Sequence, residues 1–590
     1  MLLTQPGKVA ADTKTYLYLD PGRLLSSAPS MWDPNIGLGT VTHQTIGYLF
    51  PMGPFYWLLE TGLGLPSWVA QRLWLGTLLF TAALGMLFLM RTLGVRGPGV
   101  PVGALAFMLT PYVLDYSARI SVILGPWAAL PWLIGLTVLA LRHGGWRYPA
   151  LFAVVVQLVG GVNATALVFA GVAPVLWIPY SVWVTRETSW RRAVGVLWRT
   201  GFLTLVTSFW WMAGLWAQGK YGLDILRFTE TVQAVSKTSF PGEILRGLGY
   251  WFFYGQDKIG PWTESAANYT QNIPLILLSY AIPTIALLAA AFTRWRYKAY
   301  FMLLLVVGVA IAVGASPYAD PSPVGKLFKA FANNSTAGLA LRSTGRAVPL
   351  VVLALAVFLA CGVNAIAENL ARRGLPDRGV LIAGIVGALV IVNFPALWDG
   401  TYYGKNLERP ESIPKYWTDV IRYLNAQPHD TRILELPGAD FASYTWGNTV
   451  DPITPGLTDR PYVARELIPW GSPPSADLLN ALDRQLQESV VDPAAVASIA
   501  RLMSVGDVNL RMDIQADRYD LIRPQLLWDI FRSSPPGLDP AKTFGTTIPG
   551  KPTFPRIDER ALALPAEPSP PPVAALHVQN PVPIIHTAPA

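Results

Sequence analysis

The chain has 590 residues, of which 52% are hydrophobic and only 14% charged, with a mean hydropathy of +0.36. Soluble domains carry about 25% charged residues, so the composition excludes an ordinary soluble protein and points to a polytopic membrane protein. The net charge of +8 is spread over loops rather than gathered in a nucleic-acid patch, and one cysteine, Cys361, excludes a disulfide framework or a cysteine zinc site.

The chain opens on a polar stretch, 1–72, that carries the acids Asp12, Asp20 and Asp33. Asp20 and Asp33 each precede a proline, so turn formation accounts for them as well as chemistry does. Asp12 has no proline behind it and is the preferred catalytic base, because a carboxylate at a membrane surface can take a proton from a sugar hydroxyl. Lys14, Asp20, His43 and Gln44 are candidate substrate contacts in the same stretch. No signal peptide or apolar helix precedes it. Since the stretch is read below as lying outside, a transmembrane helix ending at residues 1–4 is expected upstream.

Ten apolar segments follow with the length, or nearly the length, needed to cross a bilayer. They are 73–90, 99–114, 122–141, 148–161, 164–184, 200–215, 273–292, 299–316, 347–367 and 379–397. The short connections are basic, with Arg91 and Arg96, Arg142 and Arg147, Arg191 and Arg192, Arg294 and Arg296, and Arg372 and Arg373. The long ones are 1–72, 216–272, 317–346 and 398–590. The positive-inside rule puts the short set in the cytoplasm and the long set outside. No Asp, Glu, Lys or Arg falls within the spans. That argues against an ion-coupled transporter and leaves the charges for a site at the outer surface. The basic loops suit anionic membrane lipids, with an acidic cytoplasmic protein partner as a further reading.

Within 216–272 two amphipathic helices are expected, near 223–236 and 241–253, split by Pro241. They would lie on the membrane with Trp251, Phe252 and Phe253 in the interface. Glu230 and Glu243 are candidate second acids, equally explained as helix-surface charge, and Trp251 is a candidate substrate contact. Arg342 and Arg346 stand four apart and would share a helix face. Bidentate bonds to a donor phosphate are one reading of the pair, and snorkelling at the interface is the other. Asp115 and Arg119 are read as a structural pair. From 398 the composition becomes that of a soluble domain, and helices alternating with strands predict a small α/β or α+β fold over 398–545. Its residues Glu435, Asp440, Trp446, Asp451, Arg465 and Trp470 suit a sugar site or ordinary loop packing. Residues 546–590 are Pro-rich and read as a linker or tail.

Three blocks carry a resemblance: DTKTYLYLDPGRLL, MWDPNIGLGTVTHQTIGYLFPMGPFYWLLE, and ILRGLGYWFFYG at 244–255. From residue 1 to about 545 the chain resembles the mycobacterial and corynebacterial arabinofuranosyltransferase D family of GT-C glycosyltransferases. The resemblance implies a polytopic α-helical GT-C fold and an active site on the outer face of the plasma membrane. It implies arabinofuranose transfer from decaprenylphosphoryl-arabinofuranose to the arabinan of arabinogalactan or lipoarabinomannan, with α-(1→3) branching and inversion. It also implies a helix before the first loop, further domains after the tail, and Glu230 as a second acid. The absence of a D-x-D motif speaks against a nucleotide-sugar donor, while a divalent metal held by the first-loop acids and the donor phosphate stays open. The alternative from another class is a non-catalytic protein that binds or flips a lipid-linked glycan.

Overall fold

A helix stands at each of the ten apolar segments: Ser67–Thr92, Gly99–Met108, Leu124–His143, Arg147–Gly160, Ala164–Trp183, Trp190–Tyr221, Ile273–Phe292, Lys298–Val313, Val348–Arg372 and Pro376–Val392. The structure is a computed structural model that describes residues 1–12, 14–41, 46–117, 119–547 and 569–585. Among the described residues, five stretches are long and apolar enough to cross a membrane: Ser67–Thr92, Ser121–His143, Ala164–Trp183, Ile273–Phe292 and Thr344–Arg372. A helix satisfies all of its backbone polar groups internally, which is what an apolar surrounding demands.

The axis of the body is Val348–Arg372. Every residue from 348 to 364 is buried, as expected of a helix that is apolar all round. Gly99–Met108, Ile273–Phe292, Lys298–Val313 and Pro376–Val392 pack around it. Gly99 allows the closest approach, since a Cβ there would sit 2.1 Å from the Ala360 carbonyl oxygen. The outward faces expose Phe80, Val175, Phe209, Leu277 and Val306, an apolar surface of the kind that lipid covers.

The chain beyond the body forms an α/β domain on a five-stranded mixed sheet. Its strand order is Lys542–Phe544, Val573–His577, Val505–Arg511, Arg432–Leu436, Tyr462–Ala464. Arg432–Leu436 runs parallel to both neighbours and Val573–His577 antiparallel to both of its own. Successive side chains go to opposite faces. Ile433, Tyr462 and Ala575 join Trp417 and Leu424 of the helix Lys415–Asn425. Leu434, Val463 and Leu576 join Leu482 and Val496 of the helices Pro473–Gln487 and Pro493–Leu502. The sequence boundary at 545 is thereby corrected: Val573–His577, expected in the linker, is an interior strand with four of its five residues buried. Its apolar run VAALH is a short strand signal that the surrounding prolines mask.

The first loop is clamped between body and domain. Lys8–Ala10 pairs antiparallel with Glu408–Pro410. The Gln71 side chain bonds both the N–H and the carbonyl of Ala10, at 3.0 and 3.1 Å. Arg72, 1% exposed, donates to the carbonyls of Thr4, Gln5 and Lys8 and lies 3.8 Å over the Tyr403 ring.

Two expected helical features are absent from the loops. Past the end of Trp190–Tyr221, segment 216–272 holds only short turns of helix, Ile225–Phe228, Val232–Ser236, Pro241–Leu245, Trp251–Tyr254 and Ala266–Thr270. Gly247 at φ +81° and Gly249 at φ +110° end any continuation. Phe252 and Phe253 are buried in protein, with Phe252 stacked on Trp262 at 4.9 Å, so they do not lie in the interface. Arg342 falls between Thr336–Ala340 and Thr344–Ala347, so it shares no helix face with Arg346.

Candidate active site between body and α/β domain

A cavity of about 490 Å³ opens where three parts of the chain meet. The first loop contributes Ala11, Lys14 and Tyr48. The loops of the helical body contribute Arg119, Glu230, Tyr250, Trp251 and Phe252. The α/β domain contributes Asp440, Phe441, Asp451, Glu466 and Trp470. The strand Tyr462–Ala464 delivers Glu466, and the loop after it is fastened to the first loop. Tyr462 N–H donates to the Asn35 carbonyl at 2.9 Å. Trp470 lies on Gly37, whose φ is +62° and where a Cβ would come within 2.9 Å of the Trp470 carbonyl oxygen.

Charge on this wall is strongly shaped by burial. Lys14 Nζ sits 2.9 Å from Asp451 Oδ2. Burial opposes the ammonium charge, but Asp451 more than offsets it and the Lys14 pKa is raised. Burial, reinforced by the Asp451 charge and opposed by Lys14, lifts the Glu466 carboxyl to about 7. Tyr462 OH donates to Glu466 Oε1 at 3.1 Å. The Arg119 guanidinium lies 4.5 Å from the Phe252 ring centroid and 5.2 Å from that of Phe441, and burial lowers its pKa. It stacks on these rings instead of forming the structural pair expected with Asp115.

Glu230 reaches the wall through a brace. Arg342 Nε donates to the Glu230 carbonyl at 2.5 Å, and its Nη2 lies 3.6 Å from Glu230 Oε2. The Ser343 hydroxyl donates to Glu230 Oε1. Arg342 also donates to the Leu339 carbonyl at 2.8 Å and to the Thr229 hydroxyl. Arg346 donates to Thr165 and to Asn163 Oδ1, the latter at 3.4 Å. Neither arginine is on the cavity wall. The structure thus does not bring the two arginines onto this wall; Arg342 instead holds Glu230 in place.

Asp12 is 1% exposed and its Oδ1 accepts the Ser121 N–H at 2.7 Å. Its neighbours Ala11 and Lys14 line the cavity, whereas Asp12 ties the first loop to the chain ahead of Leu124–His143. Asp20 caps the helix Pro21–Ser27, accepting the Arg23 N–H at 2.9 Å, away from the wall. His43 and Gln44 lie outside the described residues. Trp251 lies on the cavity wall. Glu243 is bound to Arg246 at 2.7 Å and to the hydroxyls of Tyr254 and Tyr280.

Of the six α/β-domain candidates, Asp440, Asp451 and Trp470 reach the cavity. Glu435 pairs with Arg511 at 2.9 Å inside the sheet, Trp446 donates to Asp513 at 3.0 Å, and Arg465 binds Asp483 at 2.9 Å. Sequence reasoning missed Glu466 and Phe441. An acid beside the apolar run LIPW was the available signal for Glu466. Among the described residues, no group of three or more His, Cys, Asp or Glu side chains is arranged to hold a metal ion. The wall nevertheless offers carboxylates for hydroxyl protons, aromatic faces for sugar rings and a cation for an anionic group.

The model of the α-(1→3)-arabinofuranosyltransferase N-terminal GT-C domain family matches residues 1–578. An α-(1→3)-arabinofuranosyltransferase of Mycolicibacterium smegmatis is 30% identical over 563 residues, covering 92% of this chain and 38% of its own. One of Mycobacterium tuberculosis is 29% identical, covering 97% of this chain and 42% of its own. The chain thus spans well under half the length of these relatives. A cryo-EM structure of arabinofuranosyltransferase AftD from mycobacteria superposes with a TM-score of 0.77, covering 98% of this chain and 39% of that one, at 24% identity. Matched almost end to end by that domain model, the chain belongs to the α-(1→3)-arabinofuranosyltransferase N-terminal GT-C domain family.

Proposed function

We propose that this chain is the membrane-embedded catalytic part of an inverting glycosyltransferase. It moves arabinofuranose from decaprenylphosphoryl-arabinofuranose to an arabinan acceptor, forming an α-(1→3) branch. On this reading the ten helices cross the plasma membrane, the short basic loops face the cytoplasm, and the α/β domain stands outside. The observation that carries the proposal is the junction cavity, with aromatic faces, carboxylates and a cation gathered against an apolar helical body. A prenyl chain suits the body, and a sugar with its acceptor suits the cavity.

The reaction makes one bond and breaks one. An acceptor hydroxyl oxygen attacks the anomeric carbon, the bond from that carbon to the phosphate oxygen breaks, and the electron pair leaves on polyprenyl phosphate. The hydroxyl proton passes to a carboxylate. Glu466 suits that task better than Asp12. It lines the cavity, and a carboxyl held at about 7 is a better base near neutral pH than an unperturbed one. Asp12 keeps its carboxylate on the Ser121 N–H and orders the first loop. Glu230, fixed by Ser343 and Arg342, is set to bind sugar hydroxyls, and Lys14 with Asp451 to orient them.

The test is transfer of radiolabelled arabinose by the purified chain, from decaprenylphosphoryl-arabinofuranose to a short arabinan. Wild-type turnover, its loss in Glu466→Gln and retained donor binding in that variant are expected. Glycan binding without transfer by any form would replace the proposal with the non-catalytic reading.

A further inference from the structure

The charges on the cavity wall are unequal in their freedom. Lys14 is engaged by Asp451 at 2.9 Å, and the other lining acids Glu230, Asp440 and Glu466 have their own partners in Arg342, Arg465 and Tyr462. Arg119 is, among the described residues, the remaining cation of the wall. Among the described residues, no ion pair or side-chain hydrogen bond engages its guanidinium. Phe252 of the helical body and Phe441 of the α/β domain cover it instead, at 4.5 and 5.2 Å. A guanidinium covered by rings keeps its N–H donors at its edge, in the fork geometry that matches a phosphate. Two aromatic contacts also fix the side chain before any ligand arrives, which reduces the entropy lost on binding.

Its level in the molecule is equally specific. Arg119 stands two positions before Ser121–His143, one of the stretches able to cross a membrane. In a polyprenyl-phosphate sugar, the phosphate joins a chain that belongs in lipid to a sugar that belongs in the polar cavity. A cation that holds it must lie at the seam between the two, and Arg119 does. Arg342 is held by Glu230 and its neighbours, and Arg346, whose Nη1 donates to Thr165 and Asn163, stands off the cavity wall. We infer that Arg119 is the phosphate anchor of the lipid-linked donor, an inference that rests on the transferase reading above. As the anomeric bond breaks, negative charge grows on the departing phosphate, and a cation already in place stabilises it without reorganisation.

The experiment measures binding of two probes, decaprenyl phosphate and decaprenol, to the full chain in lipid nanodiscs. They share the prenyl chain and differ only in the anionic group. The ratio of their affinities is expected to fall about 10- to 100-fold in Arg119→Gln, the range for a charge-assisted hydrogen bond. Affinity for decaprenol and for an arabinan oligosaccharide should hold. If Arg119→Gln fails to fold, Arg119→Lys decides, because it keeps the charge and loses the fork; a drop of about 3- to 10-fold in the ratio supports the anchor. An unchanged ratio overturns it, and so does a ratio that falls in Arg342→Gln or Arg346→Gln while Arg119 variants keep it. Equal weakening of both lipids would reduce Arg119 to a packing role and also overturn the inference. A phosphate preference that depends on Arg119 in a protein without arabinose transfer would leave the anchor standing and count only against the transferase reading.

Discussion

The helical body and the α/β domain bury their interiors in opposite ways. Through residues 348–364 the central helix of the body carries no ionisable group except Cys361, and its packing rests on apolar contact and close glycine approaches. The α/β domain instead buries whole ion pairs. Arg460 and Asp507 meet at 2.8 Å with both side chains 0% exposed, and Arg511 meets Glu435 at 2.9 Å at 1% and 0%. Apolar packing loses stability in proportion to what is removed. A buried pair fails all at once when a partner goes, because the remaining charge stays desolvated. The cavity combines both: the body supplies aromatic walls and Arg119, and the domain supplies most of the acids.

The comparison is broken most severely by removing the last strand. Cutting the chain before residue 569 takes away Val573–His577, which lies between Lys542–Phe544 and Val505–Arg511, and with it the His577 bond to Asp507 at 3.0 Å. The α/β domain is expected to lose its protection in hydrogen exchange while the ten helices keep theirs. A domain that stays protected without the strand would make the sheet's remaining strands sufficient and the His577–Asp507 contact expendable.

Next in size is the acid of the cavity. If Glu466 accepts the proton, kcat should fall about 10²- to 10⁴-fold in Glu466→Gln. The sign of the pH dependence follows from the carboxyl held at about 7. Below that pH Glu466 is neutral and cannot act as a base; above it the carboxylate forms, so kcat/KM rises through pH 7 and then levels. The rising limb should be absent in Glu466→Gln. In Asp451→Asn it should move to lower pH, because the charge that lifts Glu466 is gone and Lys14 is released to stabilise the carboxylate. A limb that stays in place in both variants assigns the titration to another group.

How much of this was legible in the sequence differs between the two regions. Each apolar segment became a helix because length and hydropathy are local properties, written in consecutive residues. The basic loops and the change of composition at 398 were equally local. The cavity is made by contacts that no local pattern records. Lys14 meets Asp451 across 437 positions, and Tyr462 bonds to Asn35. Arg119 looked like half of an ion pair with Asp115, and only the fold reveals the two rings that cover it. Arg342 and Arg346 looked alike because their spacing fits one helix turn, yet the chain bends between them and sends them to different partners. The strand at 573–577 was hidden by composition, since prolines around a five-residue run outweigh it in any window.

Asp20 gives the smallest effect and separates two readings that the sequence left together. It stands in the first loop as either a sugar contact or a turn former. In the structure its Oδ1 caps Pro21–Ser27 by accepting the Arg23 N–H at 2.9 Å. Arg23 in turn binds Asp459 of the α/β domain at 2.8 Å. Loss of an N-cap costs about 0.5–2 kcal/mol, while an exposed ion pair adds less than about 1 kcal/mol. Asp20→Ala should therefore lower the melting temperature of the joined first loop and domain slightly, with transfer per folded molecule unchanged, and Asp20→Asn, which keeps the cap acceptor, should recover most of that loss. Reduced transfer at an unchanged melting temperature would return Asp20 to the substrate and move the edge of the sugar site out along the first loop, toward the α/β domain that Arg23 already grips.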